Sequence, residues 1–337
     1  MIKLLYTLIV FLCIVLSGNA QENMFLRFSE NGEFKIVQFT DTHYKWGKKA
    51  SDAAIECISE IVELEKPDLV VFTGDQVYSD SVALSLRALV SPLSEKKIPF
   101  VVIFGNHDSE FDCTYAQMYD VIRSVPGNML PDRDGVDSPD FKLNIYPQDT
   151  ARVVAALYFM DTHSKSAVPG VQGYAWLLSD QISWYRNQSD FLTILNGNVP
   201  VPSLAFFHIP IPEYALALNE DKVAMVGTCK ESPCVSALNS GMFTAIKEQG
   251  DIMGVFCGHD HDNDFAIMYH NVLLAYGRYS GGNTVYNHLG ENGARVIVLT
   301  ENERRFKTWI RLRGGEVIHE AVYPDSFIKN KKKNKPK

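Results

Sequence analysis

The sequence predicts an α/β fold in which helices cover a parallel sheet, and three observations support this prediction. Apolar runs of strand length alternate with segments of helical spacing over residues 34–104. The links between these segments are short, which is typical of strand–helix–strand units. The runs are apolar at nearly every position, as in strands that are buried on both faces. Right-handed crossovers would then place the strand ends at one edge of the sheet.

The first part of the chain supplies three strands and two helices. Strands are predicted at residues 34–39, 68–73 and 99–104, and each ends in a polar motif. Apolar residues three and four positions apart predict helices over residues 51–65 and 81–93. In such sheets a ligand binds at the carboxyl ends of the strands.

The middle of the chain continues the same pattern. Further strands are predicted at residues 152–160, 203–207 and 252–257, each of which ends beside a histidine motif. A helix is predicted to begin over residues 180–186, and another spans residues 239–249.

The last third has strands with short links and no helical spacing between them. These strands are predicted at residues 265–268, 272–276, 295–300 and 306–312. Short links favour antiparallel neighbours, so we expect a second, antiparallel sheet that packs against the first. No linker rich in Gly, Pro or Ser interrupts the chain, which predicts a single domain over residues 21–328.

Composition narrows the function classes. The chain has 337 residues, of which 46% are hydrophobic, so it is globular rather than disordered. Its net charge of −8 argues against a nucleic-acid partner, whose backbone is bound by basic surfaces. Six cysteines are too few for a disulfide scaffold. Cys229 and Cys234 flank a short run of turn residues, which is compatible with a local disulfide.

Both ends of the chain differ in composition from the rest. Residues 1–20 contain Lys3, an apolar run over residues 4–16 and Ala20 at a small-residue cleavage site, which predicts a signal peptide and an exported, periplasmic or secreted protein. An uncleaved anchor is the alternative, but the run is shorter than the about 20 residues of a stable membrane span. Residues 329–337 contain six lysines, typical of a basic disordered tail. Weak tethering to a surface is the alternative for this tail.

Metal-ligating side chains cluster at the predicted strand ends. They are Asp41, His43, Asp75, Asn106, His107, Asp108, His208, His259 and His261. One histidine at a strand end is usually structural, but five beside Gly, Asp or Pro are hard to explain by packing. Imidazole, carboxylate and amide groups together suit Zn, Fe or Mn better than Mg or Ca, which prefer oxygen ligands.

The sequence resembles the calcineurin-like metallophosphoesterase superfamily in five motifs. These are Asp41-x-His43, Gly74-Asp75, Gly105-Asn106-His107-Asp108, His208 and Gly258-His259-x-His261, in the order of that superfamily. Residues 168–176, 206–213, 239–243 and 258–265 are similar to a branch that contains plant purple acid phosphatases and fungal relatives. The resemblance covers roughly residues 34–300.

The resemblance implies a four-layer α/β/β/α sandwich with a metal site at the carboxyl ends of the central strands. It also implies two transition-metal ions, divalent or of mixed valence, drawn from Fe, Zn or Mn. The implied ligands are Asp41, His43 and His261 for one ion, Asn106, His208 and His259 for the other, and Asp75 as a bridge.

The implied activity is hydrolysis of phosphomonoesters, with a small-molecule phosphoester as substrate. Two metals clamp the phosphoryl group and supply a hydroxide that attacks phosphorus in line with the leaving oxygen. His107 would act as general acid and Asp108 would orient it. A phosphodiesterase with the same metal core and a non-catalytic metal-binding protein are the alternatives. The intact pair of His107 and Asp108 argues against the second.

Several nearby residues need a separate interpretation. Purple acid phosphatases usually have glycine where His43 stands and bind ferric iron through a tyrosine that corresponds to Tyr78. We expect His43 to be the ligand and Tyr78 to lie at the pocket rim.

The motif at residues 161–163 repeats Asp-Thr-His, and we expect a strand-end turn there. Asp262 and Asp264 are expected to form turns or to orient a metal-bound imidazole.

Overall fold

The computed structural model describes residues 25–131, 140–220 and 224–328. Within these ranges the chain forms two packed β-sheets with helices on their outer faces, which confirms the predicted sandwich. The predicted signal peptide at residues 1–20 and the tail at residues 329–337 lie outside the described residues. The single-domain boundary stays a prediction.

The strands and helices are numbered in chain order. The strands are β1 (Leu26–Arg27), β2 (Glu33–Phe39), β3 (Leu69–Thr73), β4 (Phe100–Ile103), β5 (Phe141–Tyr146), β6 (Ala155–Phe159), β7 (Ser203–Phe206), β8 (Met225–Val226), β9 (Ile252–Cys257), β10 (Ala266–Tyr269), β11 (Val272–Tyr276), β12 (Gly293–Thr300), β13 (Phe306–Leu312) and β14 (Val317–Tyr323). The helices are α1 (Asp52–Glu65), α2 (Val82–Glu95), α3 (Tyr115–Arg123), α4 (Ser179–Leu195), α5 (Glu213–Leu218) and α6 (Met242–Gln249). Within the described ranges, no helix has the combination of length and apolar character needed to cross a bilayer.

The two sheets divide the strands differently from the prediction. One has the order β14-β13-β12-β2-β3-β4 and the other the order β1-β5-β6-β7-β9-β11-β10-β8. The middle strands therefore do not extend the first sheet, and β12 and β13 join β2 rather than β10 and β11. The predicted antiparallel neighbours are present, because β10 pairs with β11 and β12 with β13 in this way, whereas β11 also runs parallel to β9. Apolar runs show that a strand is buried but not which of two buried sheets it joins.

A row of phenylalanines joins the sheets face to face. Phe159, Phe206 and Phe256 stack on neighbouring strands with ring centroids 5.3 Å apart, and Phe256 reaches Phe306 of the other sheet at 6.0 Å. Alternate residues point the other way, so Tyr158 packs on Tyr185 of helix α4. The same alternation along β6, β7 and β9 places one apolar face between the sheets and one under helices α4 and α6.

Cys229 and Cys234 are both free thiols, so the local disulfide is absent. The Cys229 thiol donates instead to the backbone carbonyl of Glu231 at 3.5 Å.

Candidate metal centre

The two sheets bring all the predicted ligands to one edge. In the six-stranded sheet, Asp41 and His43 follow β2, Asp75 follows β3 and Asn106 follows β4. In the eight-stranded sheet, His208 follows β7, and His259 and His261 follow β9. These strands run parallel to one another within each sheet, so their carboxyl ends meet at one edge, as the sequence predicts.

The first group of ligand atoms comes from Asp41, His43 and His261. All three side chains are buried, and their ligand atoms lie within 4.8 Å of one another. Nε2 of His43 lies 3.1 Å from Nε2 of His261, which lies 3.8 Å from Oδ1 of Asp41. This convergence matches the first ligand set that the resemblance implies.

The second group surrounds Nε2 of His208. That atom lies 3.1 Å from Oδ1 of Asn106, 3.3 Å from Nδ1 of His259 and 3.2 Å from Oδ2 of Asp75. His208 is fully buried, whereas Asn106 and His259 keep exposed fractions of 4% and 8%.

Asp75 lies between the two groups. Its Oδ2 atom is 3.2 Å from Nε2 of His208 and 3.7 Å from Nε2 of His43. Its Oδ1 atom accepts the backbone N–H of His107 at 2.8 Å. One carboxylate thus faces both clusters, which is the placement expected of a bridging ligand.

The hydrogen-bond partners of the His208 and His261 rings show that these residues fit metal ions. Nδ1 of His208 donates to the carbonyl of Thr73 at 2.9 Å, and Nδ1 of His261 donates to the carbonyl of Tyr286 at 2.9 Å. A carbonyl oxygen only accepts, so in the neutral rings each Nε2 is a bare lone pair. These lone pairs face carboxylate and amide oxygens, which are also acceptors. A cation satisfies such a set, and the fixed Nδ1 bonds orient both rings towards it.

The charge balance points the same way. Burial lowers the pKa of His43 to about 3 and the pKa of His261 to about 4, so both rings are neutral, the form that binds metal. For His208 burial also acts to lower the pKa, but the charge and hydrogen bond of Asp75 outweigh burial and raise the pKa to about 10. The second group therefore attracts one positive charge at Nε2, which a proton or a cation can supply.

Four candidate ligands have left-handed backbone conformations. Asp41 has φ of 54°, His43 of 41°, Asp75 of 53° and His259 of 81°. Such conformations are uncommon outside glycine and asparagine and cost of order 1–3 kcal/mol each. Their concentration at one edge marks a site whose geometry the rest of the fold holds in place.

The glycines of the motifs allow close approach around the ligands. A Cβ atom at Gly74 would collide with the ring of His208, and one at Gly105 would collide with the carboxylate of Asp75. Gly74 also has φ of 97°, which side chains rarely adopt. Each glycine therefore leaves room for a candidate ligand that follows another strand.

His107 lies at the edge of the cluster but is oriented by a different acid from the one predicted. Nδ1 of His107 lies 2.9 Å from Oε1 of Glu110, and the His107 side chain is 37% exposed. Asp108 is fully buried and accepts the backbone N–H groups of Val77 at 2.9 Å and Gly105 at 2.7 Å. The expectation that Asp108 orients His107 is therefore wrong, because both carboxylate oxygens hold the loop backbone instead.

Tyr286 and Glu231 were missed by the sequence analysis. The Tyr286 ring stacks on His261 with centroids 4.4 Å apart, and its hydroxyl donates to Glu231 at 3.1 Å. Glu231 also accepts the backbone N–H of Asp262 at 2.7 Å. These residues lie 25 and 30 positions from His261 in regions without regular spacing, so no local pattern indicates them.

The remaining candidates take other roles. Asp264 pairs with Arg278 at 2.7 Å, and Asp262 pairs with His288 at 2.6 Å, so neither orients His261. Tyr78 packs its ring against His43 and His107 with centroids 6.1 and 5.6 Å away, at the rim of the site.

The repeated Asp-Thr-His motif is a strand-end turn, as predicted. It follows β6, and the backbone N–H of His163 donates to the carboxylate of Asp161 at 2.7 Å. Nε2 of His163 lies 3.0 Å from the side-chain oxygen of Gln181. Neither Asp161 nor His163 belongs to a group of converging ligand atoms in the described part of the chain.

Comparisons with known proteins agree with this geometry. A family model described as Calcineurin-like phosphoesterase matches residues 34–263. The Arabidopsis thaliana protein named Probable inactive purple acid phosphatase 29 is 33% identical, over 92% of this chain and 89% of that protein. Phosphatase DCR2 of Saccharomyces cerevisiae is 31% identical, over 86% of this chain and 55% of that protein.

Among solved structures, a dimetal phosphatase from Danio rerio has the same fold. The alignment has a TM-score of 0.59 and 12% identity, and it covers 86% of this chain and 98% of the other. These findings confirm the resemblance to the plant and fungal branch. The chain belongs to the calcineurin-like phosphoesterase family.

Proposed function

We propose that the protein is an exported phosphatase that hydrolyses phosphomonoesters with two transition-metal ions, Fe, Zn or Mn. The observation that carries this proposal is the convergence of two ligand groups on either side of Asp75. Asp41, His43 and His261 would hold one ion, and Asn106, His208 and His259 would hold the other. When bound, such a pair acts as a Lewis acid on the phosphoryl group and draws the nucleophile from water.

The residues of the chain then have distinct tasks. Asp75 sets the spacing between the two groups and fixes the His107 backbone through its second oxygen. His107, which is partly exposed and has its ring centroid 5.5 Å from that of His43, would carry the proton that the leaving oxygen needs. Glu110 holds Nδ1 of His107, so Nε2 is left to meet the substrate.

Export rests on residues 1–20, whose composition is that of a signal peptide. Mass spectrometry of the N-terminus of protein recovered from the host tests it, because cleavage would leave a chain that starts near Gln21. A chain that keeps residues 1–20 would contradict it.

A non-catalytic metal-binding protein is the second candidate, and one observation favours it. A relative that is 33% identical over most of both chains has the word inactive in its name. That relative's name does not decide the matter for this chain, in which His107 stands beside a full ligand set.

The test combines metal analysis with turnover on the same sample. Protein purified without added metal is analysed for transition metals and then assayed on an aryl phosphomonoester and on the matching bis-aryl diester. We expect two metals per chain and monoester turnover in the unaltered protein. His208→Ala should lose the turnover and the metal ion of its own group. His163→Ala is the matched control, since it removes a histidine of the repeated Asp-Thr-His motif that lies outside both groups. Turnover of the diester alone would make the protein a phosphodiesterase, and two metals without turnover would favour the binding protein.

A further inference from the structure

Tyr174 lies against the second ligand group and has a hydroxyl that the fold does not use. Its ring meets the ring of His259 at a right angle, with centroids 4.4 Å apart. Tyr174 is half-buried, and no residue in the described part of the chain shares a hydrogen bond with its hydroxyl. A hydroxyl beside a candidate metal ligand is therefore free to bind a substrate.

The backbone of Tyr174 is fixed by a short hairpin that follows the repeated Asp-Thr-His motif. Tyr174 pairs with Lys165 in an antiparallel bridge, and its carbonyl accepts the backbone N–H of Ala237 at 2.9 Å. Ser164, next to Lys165, donates its hydroxyl to the carbonyl of Asn106 at 3.3 Å. The hairpin is thus attached to a candidate ligand of the second group, so the fold sets the position of the phenol relative to the site.

Tyr174 and His107 flank different ligand groups. The ring centroid of His107 lies 5.5 Å from that of His43, in the first group. Tyr174 packs on His259, in the second group, and the carboxylate of Asp75 lies between the two groups. A phosphoryl group held between the groups would therefore have His107 at one side and Tyr174 at the other.

The Tyr174 hydroxyl carries a proton that it can donate. Burial raises the pKa of the phenol, and nearby negative charges, among them those of Asp75 and Glu110, raise it further. The phenol therefore stays protonated at neutral pH. Because charges act strongly only over short distances, the influence of both carboxylates indicates that the phenol lies towards the space between the ligand groups.

We propose that the Tyr174 hydroxyl donates a hydrogen bond to a terminal oxygen of a phosphomonoester and thereby selects monoesters over diesters. This inference rests on the proposed function. A monoester has three terminal oxygens that share the charge, whereas a diester has two. When bound, each ion of a metal pair polarises one phosphoryl oxygen, which leaves the third oxygen of a monoester for a donor from the protein. In a diester the second ester arm takes that place.

The test compares two ligands in metal-loaded protein by isothermal titration calorimetry. Inorganic phosphate keeps a terminal oxygen for Tyr174, and dimethyl phosphate has only two terminal oxygens. Tyr174→Phe removes the hydroxyl and keeps the ring against His259. The matched control is Tyr269→Phe, since Tyr269 is also half-buried and lies against His270 with centroids 4.4 Å apart, outside the candidate metal groups. Metal content and thermal unfolding are measured for every variant.

We expect Tyr174→Phe to weaken phosphate binding about 10–100-fold, as for a lost hydrogen bond to a charged group. Dimethyl phosphate binding, metal content and thermal unfolding should not change, and the control should behave like the unaltered protein. Unchanged phosphate affinity, or an equal loss for both ligands, would overturn the inference.

Turnover of the aryl monoester and the bis-aryl diester on the same samples separates this inference from the proposed function. We expect kcat/KM of Tyr174→Phe to fall for the monoester by about the factor found for phosphate, and to fall little for the diester. Monoester turnover that Tyr174→Phe leaves unchanged would overturn the inference and leave the proposed function intact. Phosphate binding that depends on Tyr174, without turnover of either ester, would contradict the proposed phosphatase and support the binding role of Tyr174.

Discussion

Oε1 of Glu110 lies 2.9 Å from Nδ1 of His107, at the edge of the candidate metal centre. This contact fixes which ring nitrogen faces the site, because the carboxylate occupies Nδ1. The two residues are three positions apart in a turn, and both are partly exposed. A partly exposed pair suits a proton donor that must meet a substrate from solution.

The first prediction concerns the leaving group. We expect His107→Ala to lower kcat on alkyl phosphates about 10²–10⁴-fold, since their leaving oxygen needs a proton. The loss should be much smaller on an activated aryl phosphate. Glu110→Gln should show the same dependence to a lesser degree, and the control Glu63→Gln, an exposed acid on helix α1, should show none. Equal losses on both substrates would argue against a general acid.

Asp108 should behave differently from His107. Its carboxylate accepts two backbone N–H groups, so Asp108→Asn turns one acceptor into a donor that faces a donor. We expect a loss of about 1–3 kcal/mol in the free energy of unfolding, measured with urea. Activity should fall by the same factor on alkyl and aryl phosphates, because the loop moves as a unit. Unchanged stability would contradict this structural role.

Glu65 should make stability depend on pH. It accepts hydrogen bonds from Trp309 at 3.0 Å, Arg311 at 2.6 Å and Lys35 at 3.2 Å. Burial alone would raise its pKa, but these donors outweigh burial and lower the pKa. Folding therefore favours the ionised form of Glu65. Its contribution to the free energy of unfolding is fully present above the unfolded pKa of about 4.3, and it is lost as the pH falls through the folded pKa.

Glu65→Gln tests this contribution directly. Urea unfolding at neutral pH should show a loss of about 1–3 kcal/mol, because buried donors lose a charged acceptor. The difference from the unaltered protein should shrink at a pH below the folded pKa. If the difference in the free energy of unfolding between the two proteins grows as the pH falls, folding does not lower the pKa of Glu65.

Tyr286 should influence metal retention without binding metal. Its ring stacks on His261, and its carbonyl accepts the imidazole proton. Tyr286→Ala keeps the main-chain carbonyl but removes the ring that holds the His261 imidazole in place, so we expect metal affinity to weaken about tenfold in competition with a chelator. Tyr286→Phe keeps the ring and the carbonyl and should retain nearly the full affinity. Equal losses in both would assign the effect to the hydroxyl contact with Glu231.

Much of the fold could be predicted because its strands are buried on both faces. The apolar runs that form β2, β3, β7 and β9 are of strand length rather than helix length, and each is followed by a polar motif. The capping box at Thr114 and Gln117, which begins helix α3, was readable from sequence but was overlooked. The assignment of β10 to β13 to sheets could not be predicted, since pairing such as that of Ile36 with Ile297 joins residues far apart in sequence.

The candidate site divides in the same way. Its ligands follow strands directly, so their meeting follows from the sheet topology. The positions of the residues that contact those ligands do not follow from the sheet topology. Glu110, Glu231 and Tyr286 lie in loops whose course depends on tertiary contacts. The error over Asp108 has this origin, since adjacency to His107 in sequence does not determine where the Asp108 carboxylate points.

The measurement that tests the central claim most directly is the metal content of Asp75→Asn compared with the unaltered protein. Oδ2 of Asp75 faces His43 and His208, so one substitution affects both ligand groups. Two transition metals per chain in the unaltered protein and fewer than one in the variant are the expected result. Two metals retained in Asp75→Asn would contradict a centre in which this carboxylate joins the two sites.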